Sequence, residues 1–307
     1  MAEGTFTLRR SVAHPGRTPL QRRALAGQLL LSPAALAVLL TSVVPLGIAI
    51  WLSLCDYDLL RPPRFVGLHN YTAILTDPAF WSAVRHTLVF ALEQVPLGTV
   101  VALAVAVLLN QGIAGRDVYR TIIYLPQAAS YVVVALVWSY LYDPVVGPVN
   151  LVIRDVGWPT VHWLTDAQLA MPSLVIMSIW RNLGYFMVIY LAALQGIPRE
   201  LREAAAIDGA NAVRTFRHVT LPLLRNVTSF VLVTWFLGAL QMFTQAYVMT
   251  GGGPVEATTT VVFRIYQEAF LYLRVGRASA IAVMLFVVVA VLTLATRLLG
   301  RRWGART

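Results

Sequence analysis

The sequence predicts an all-α integral membrane protein with six transmembrane helices. Three observations carry that class. Of 307 residues, 58% are hydrophobic and 12% are charged, about half the charged share of a soluble domain. Six apolar stretches each reach the roughly 20 residues a helix needs to cross a bilayer. Arginines gather at the ends of those stretches.

The first stretch, 29–54, follows an arm holding Arg9, Arg10, Arg17, Arg22 and Arg23. A basic arm also heads a secretory signal, but a signal's apolar region runs to about 7–15 residues, so this stretch reads as a spanning helix. The others fall at 87–109, 122–142, 171–194, 227–249 and 278–299. Pro45, Pro96, Pro126 and Pro172 lie inside or at the ends of these runs, where a membrane helix tolerates proline as a kink or a start. The predicted organisation is a cytoplasmic N-terminal arm at 1–28, a six-span domain at 29–299 with a cytoplasmic loop at 198–222, and a cytoplasmic basic tail at 300–307. No tandem or inverted repeat and no soluble domain is visible.

Arginine placement orients the spans. With the N-terminus inside, sixteen arginines fall on the cytoplasmic side and seven on the other, with Arg181 inside a span. The positive-inside rule then puts both termini in the cytoplasm. The net charge of +10 is read as this orientation signal and not as a nucleic-acid surface. Trp158, Trp163, Tyr140 and Tyr142 are expected to form an aromatic belt at the outer interface.

All 24 basic residues are arginine and lysine is absent, which removes the phosphate-binding lysine of a Walker A loop and any Schiff-base lysine. Energy for any transport must come from a partner or a gradient. The lone Cys55 excludes an internal disulfide, and the large Leu54 before it argues against a lipoprotein signal. His14, His69, His86, His162 and His218 show no metal-ligand spacing and are expected mostly in loops. No catalytic, cofactor-binding or metal-binding residue is expected.

The most informative segment is 203–222, a polar stretch between apolar runs. Leu201, Ala204, Ala205, Val213 and Phe216 recur at helical intervals, and Asp208-Gly209 interrupts them, so the spacing predicts two short helices joined by a turn. Alanines keep the surface low, and Glu203, expected in the first turn, suits a helix N-terminus. An amphipathic helix lying on anionic lipid would also use Arg202, Arg214 and Arg217, but has no need of a Glu, an Asp-Gly and a Phe at fixed offsets. The order Glu203-Ala204-Ala205, Asp208-Gly209-Ala210, Phe216 and Leu221-Pro222 resembles the EAA loop of bacterial binding-protein-dependent ABC importer permeases. Further likeness extends over most of the chain and points to the carbohydrate-uptake type, as in maltose and glycerol-phosphate permeases. It lies in Trp180-Arg181-Asn182-Leu183-Gly184, in Leu191 to Pro198, in Gly251-Gly252-Gly253-Pro254, and in Trp138, Asp143-Pro144 and Gly147-Pro148-Val149-Asn150.

The resemblance implies a type I ABC importer permease of the bacterial inner membrane. It also implies a sugar-like solute, a second related permease, a cytoplasmic ATPase dimer docked on the loop, and an extracytoplasmic solute-binding protein. A polyol or glycerol phosphate is the alternative solute. A secondary transporter would need buried acids or broken helices at corresponding positions of two repeats, where the sequence offers Glu93 alone and no repeat; a membrane enzyme would need a catalytic cluster, and none is visible.

Candidate solute contacts lie in two spans. Thr234, Gly238, Gln241 and Gln245 fall on one stripe of a continuous helix, as do Ser178, Asn182 and Tyr185, with Trp180 and Trp235 beside them to stack on a sugar face. Small and amide residues also join membrane helices to one another, and both readings stay open here. Arg181, near the middle of its span, needs a partner. Glu93 is one candidate, and an anionic solute is another.

Overall fold

The computed structural model describes residues 30–111 and 113–304. The predicted arm at 1–28 and the last residues of the tail lie outside them. The chain forms two compact units, 1–51 and 52–307.

In the first unit the described residues belong to helix α1, Leu30–Ser53. A π turn occupies Leu39–Val43, just ahead of Pro45. Proline lacks an N–H and its ring crowds the carbonyl four residues earlier, here that of Thr41, and a wider turn relieves that contact. Thr41 Oγ1 donates to the Ala37 carbonyl at 2.8 Å.

In the second unit a two-residue ribbon pairs β1, Cys55–Asp56, with β2, Arg64–Phe65, antiparallel. These are the only strands among the described residues. Helix α2, His69–Leu75, carries Asn70, whose amide donates to the carbonyls of Ser53 and Cys55 at 2.9 and 2.8 Å.

Helix α3, Pro78–Leu109, is capped by Asp77, which accepts from the Ala79 amide at 2.9 Å. At 1.5 Å per residue it is longer than the hydrocarbon is thick. The hydropathy signal therefore began only at Thr87, after a polar first stretch. Buried alanines 102 and 106 let it lie close to α7, Ala170–Gln195, as small residues do at membrane helix contacts. Phe90 and Leu109 of α3, Leu174, Met177, Met187 and Tyr190 of α7, and Trp235 share one core.

The expected third span, 122–142, is two helices. Helices α4, Arg116–Ala128, and α5, Tyr131–Leu141, meet at 103°. Pro126 and the extended residues Ala129 and Ser130 end the first helix, and Gly184 of α7 lies against this corner. A Cβ there would overlap the Ile123 carbonyl oxygen and the Tyr124 Cα.

Helix α6, Pro148–Asp155, follows a tight turn. Asp143 accepts from the amides of Val145 and Val146 at 2.8 and 2.9 Å, and fully buried Asn150 bonds both Asp143 and Val161. The Asp-Pro and Gly-Pro-Val-Asn motifs thus build this turn. Of the expected aromatic belt, Tyr140 and Trp158 are exposed, but Tyr142 is buried and stacks on Trp163 at 5.3 Å. The Tyr142 hydroxyl reaches the Ser173 carbonyl, which draws the pair into the core.

After α7 come α8, Arg199–Ile207, and α9, Ala212–Leu223, which turns by 67° into α10, Arg225–Leu240. The expected fifth span, 227–249, breaks here: residues 241–243 leave the helix, and a π turn follows at Ala246–Thr250. Irregular backbone survives at membrane depth only where it is satisfied or lines a cavity. Thr260 Oγ1 donates to the Met242 carbonyl at 2.7 Å.

Helix α11 runs through Val261–Tyr266 and a π turn at Gln267–Leu271, and α12 is Val275–Gly304. A charge cluster ties these to the start of α3. Arg264 Nη2 lies 3.1 Å from Glu268 and 3.6 Å from Asp77. Arg277 pairs with Asp77 and lies 3.5 Å from Glu268. The exposed Glu256 stands at the rim, 4.0 Å from Arg264. Elsewhere the helices turn large apolar side chains outward, among them Leu92, Val100, Val287 and Leu294, a surface suited to lipid and costly in water.

Candidate functional site

A cavity of about 380 Å³ opens where α10 breaks, within the size range of small-molecule sites. Helices α3, α7 and α10, the α4–α5 corner and the 241–245 segment supply its wall.

All seven candidate solute residues line it: Asn182, Tyr185, Thr234, Trp235, Gly238, Gln241 and Gln245. They meet by a different route from the expected stripe. Helix α10 stops at Leu240, so Gln241 reaches the wall from irregular chain and Gln245 from a new helical turn after the break, not as further turns of one helix.

Hydrogen bonds organise the wall. Gln245 Nε2 donates to Ser178 Oγ at 3.1 Å, and Asn182 Nδ2 donates to the Tyr131 hydroxyl at 2.8 Å and the Ser178 carbonyl at 2.7 Å. Ser178 is fully buried and serves as an anchor. Gly238 presents open space, since a Cβ there would meet nothing within 4 Å.

The aromatic expectation divides. Trp235 stacks on Phe186, while Trp180 packs edge-on against Trp138 and does not line the cavity. Sequence reasoning missed Gln94, Gln127 and Tyr131. The first two were visible as amides inside apolar runs, but only the fold shows that they face the same space as Asn182.

Arg181 makes no pair with Glu93, which is exposed on another cavity beside Arg85 and Gln168. Its partners are Gln127, Asn182, the Ala129 carbonyl and the Tyr131 ring. Three of the four described histidines sit in helices, contrary to the loop expectation. His86 lies in α3 with Nδ1 3.2 Å from the Thr259 carbonyl. No group of three His, Cys, Asp or Glu among the described residues is placed to hold a metal ion.

The second candidate site is the polar loop. In it α8 ends at Asp208, Gly209 takes a left-handed φ of +76°, and Asn211 caps α9 by accepting from the Arg214 amide at 2.9 Å. Glu203, Ala204, Asp208, Gly209, Leu221 and Pro222 are exposed, while Ala205, Ala210 and Phe216 are half-buried. Ala210 and Phe216 line a groove of about 610 Å³ between the loop and the ends of α3 and α7. Helix α8 starts at Arg199, so Glu200 and not Glu203 stands in its first turn. Helix α9 continues through Pro222 to Leu223. A π turn at Phe216–Thr220 precedes the proline, and the chain bends only at Leu224.

Residues 94–305 match the family described as binding-protein-dependent transport system inner membrane component. The chain belongs to this family. Among curated relatives, the trehalose/maltose transport system permease MalF of Thermococcus litoralis is 34% identical over 284 residues, covering 91% of this chain and 95% of its own. The sn-glycerol-3-phosphate permease UgpA of Yersinia pestis is 36% identical over 251 residues, covering 81% and 85%. Among solved structures, a bacterial ABC transporter that imports the acidic polysaccharide alginate superposes with a TM-score of 0.80 at 24% identity. That match covers 92% of this permease and 96% of its counterpart, and it speaks to the fold.

Proposed function

We propose that this permease moves a sugar or sugar derivative across the bacterial inner membrane by alternating access. The observation that carries the reading is the cavity at the broken α10, walled by amides, two phenols, two hydroxyls and an indole in a chain otherwise built of apolar spans. Such groups suit sugar hydroxyls, and the relatives named for trehalose/maltose and glycerol phosphate support the same class. Broken helices at a membrane cavity are a recurring device for solute sites.

Energy comes from a separate ATPase dimer. Its groove receives α8 and α9, and closure of the dimer on ATP pulls the loop and swings the attached spans. The chain itself performs no hydrolysis. A second related permease completes the pathway, an external binding protein delivers the solute, and both termini lie on the ATPase side.

Purification of the tagged chain from its native membrane tests this reading. An ATPase subunit and a second permease should come with it, and uptake into vesicles should need both ATP and the binding protein. Uptake by this chain alone, driven by an ion gradient, overturns the proposal.

A further inference from the structure

Arg181 is a buried cation that the protein leaves without an anion. The residue is 9% exposed and lies midway along α7. Nη1 donates to Gln127 Oε1 at 3.2 Å and Asn182 Oδ1 at 3.3 Å, and Nη2 donates to the Ala129 carbonyl at 3.1 Å. The guanidinium carbon lies 3.7 Å from the centroid of the Tyr131 ring. Every one of these partners is neutral, and among the described residues no carboxylate stands within ion-pair distance.

Arg264, the other buried arginine among the described residues, is treated differently. Arg264, 8% exposed, faces Glu268 and Asp77. A charge at membrane depth is costly and is normally paired, so a cation held by dipoles alone has spare capacity for an anion. Arginine carries five N–H donors, and the three bonds above leave Nε–H without an acceptor. The cavity is therefore lined by a guanidinium whose positive charge no carboxylate among the described residues compensates.

We propose that Arg181 is the anion subsite of this cavity and that the transported sugar carries a carboxylate or a phosphate group. The solute's charge takes the place of the missing protein carboxylate, while Asn182, Gln241 and Gln245 address hydroxyls. The Tyr131 ring, 3.7 Å from the guanidinium carbon, holds it at the corner. The proposal rests on the cavity being the sugar path.

Arg181 also clasps the α4–α5 corner through Gln127, Ala129 and Tyr131, so the test must separate charge recognition from clasping. The assembled transporter in lipid nanodiscs is titrated with sugars matched except for charge: glucose against glucuronate and glucose 6-phosphate, and galactose against galacturonate. Wild type should bind an anionic member at least about tenfold tighter than its neutral parent, the scale of a charge-assisted hydrogen bond. The better of carboxylate and phosphate then names the group. In Arg181→Gln the anionic-to-neutral affinity ratio should fall towards one, and Arg181→Lys should keep part of it. A neutral parent that binds as well as its anionic forms overturns the proposal, as does an unchanged ratio in Arg181→Gln. Failure of every sugar, neutral and charged, to bind or be taken up overturns the sugar reading beneath it as well.

Discussion

The indole of Trp235 lies flat on the ring of Phe186, with centroids 4.1 Å apart and planes 9° apart. Gly98 of α3 makes room for it, since a Cβ at that position would fall inside the indole's six-membered ring edge. The stack joins α10 to α7 at the cavity wall, and it depends on a residue of a third helix. Gly98→Ala should shift Trp235 off Phe186, destabilising by roughly 1–3 kcal/mol as an overpacked core site does. Thermal unfolding of the purified transporter, with uptake measured at equal membrane levels, should show both losses. Unchanged melting and unchanged uptake would contradict this packing.

Gly238 is the opposite case. An added Cβ there meets no neighbour within 4 Å, so Gly238→Leu starts its side chain in open space and directs it into the cavity it lines, and its helix position favours the change by up to about 1 kcal/mol. Melting should hold or rise while uptake falls. Normal uptake in this variant would place the solute path elsewhere.

In the loop, Gly209 holds a left-handed backbone that a β-branched residue adopts only under strain of order 1–3 kcal/mol, and Glu203 is exposed on α8. Gly209→Val and Glu203→Arg should each abolish uptake while the chain stays in the membrane. Immunoblots of membranes beside uptake assays check this. Wild-type uptake in both variants sinks the coupling role.

Glu268 is wholly buried between Arg264 and Arg277. Glu268→Gln leaves the two arginines only the half-buried Asp77 and, at the rim, Glu256, and breaking a buried pair costs roughly 3–5 kcal/mol. Burial also limits screening by salt. The loss should be seen in thermal unfolding and should change little between low and high ionic strength; a loss that salt abolishes would mean a solvated, surface-like pair.

Asp143 sets a pH dependence outside the spans. The amides of Val146 and Val145 hold its carboxyl below the usual range. The folded state thus favours the carboxylate. Its contribution is fully present above the ordinary carboxylate range near pH 4 and disappears as pH falls through the lowered value. Protection factors for amide exchange at Val145 and Val146, taken against the intrinsic rate at each pH, should hold from pH 7 to 5, and Asp143→Ala should lower them at pH 7. Loss of protection already at pH 5 would contradict the shift.

Hydropathy made the spans legible because burial in lipid selects composition over about 20 residues. It could not show where a span bends. Leu240, Met242 and Phe243 are as apolar as the helix before them, and what stabilises the break is Thr260, eighteen residues from the Met242 carbonyl it satisfies. The α4–α5 corner left a fainter trace in Pro126 and Ser130. In the cavity, polarity marked Thr234, Gln241 and Gln245. The role of Gln94 and Gln127, and the neutral surroundings of Arg181, are tertiary facts without a local signature. The loop was legible because Asp208-Gly209 and Asn211 act through backbone chemistry within a few residues.

Cys55 is fully buried beneath Asn70 and against Gly276, and no other residue of the chain bears a thiol. Reagents that label cysteine therefore meet a silent background in the native protein. A single cysteine placed at exposed Gln241 or Ile207 would report its own site without prior engineering of the rest, so spin or fluorophore pairs can follow the cavity and the loop during one transport cycle.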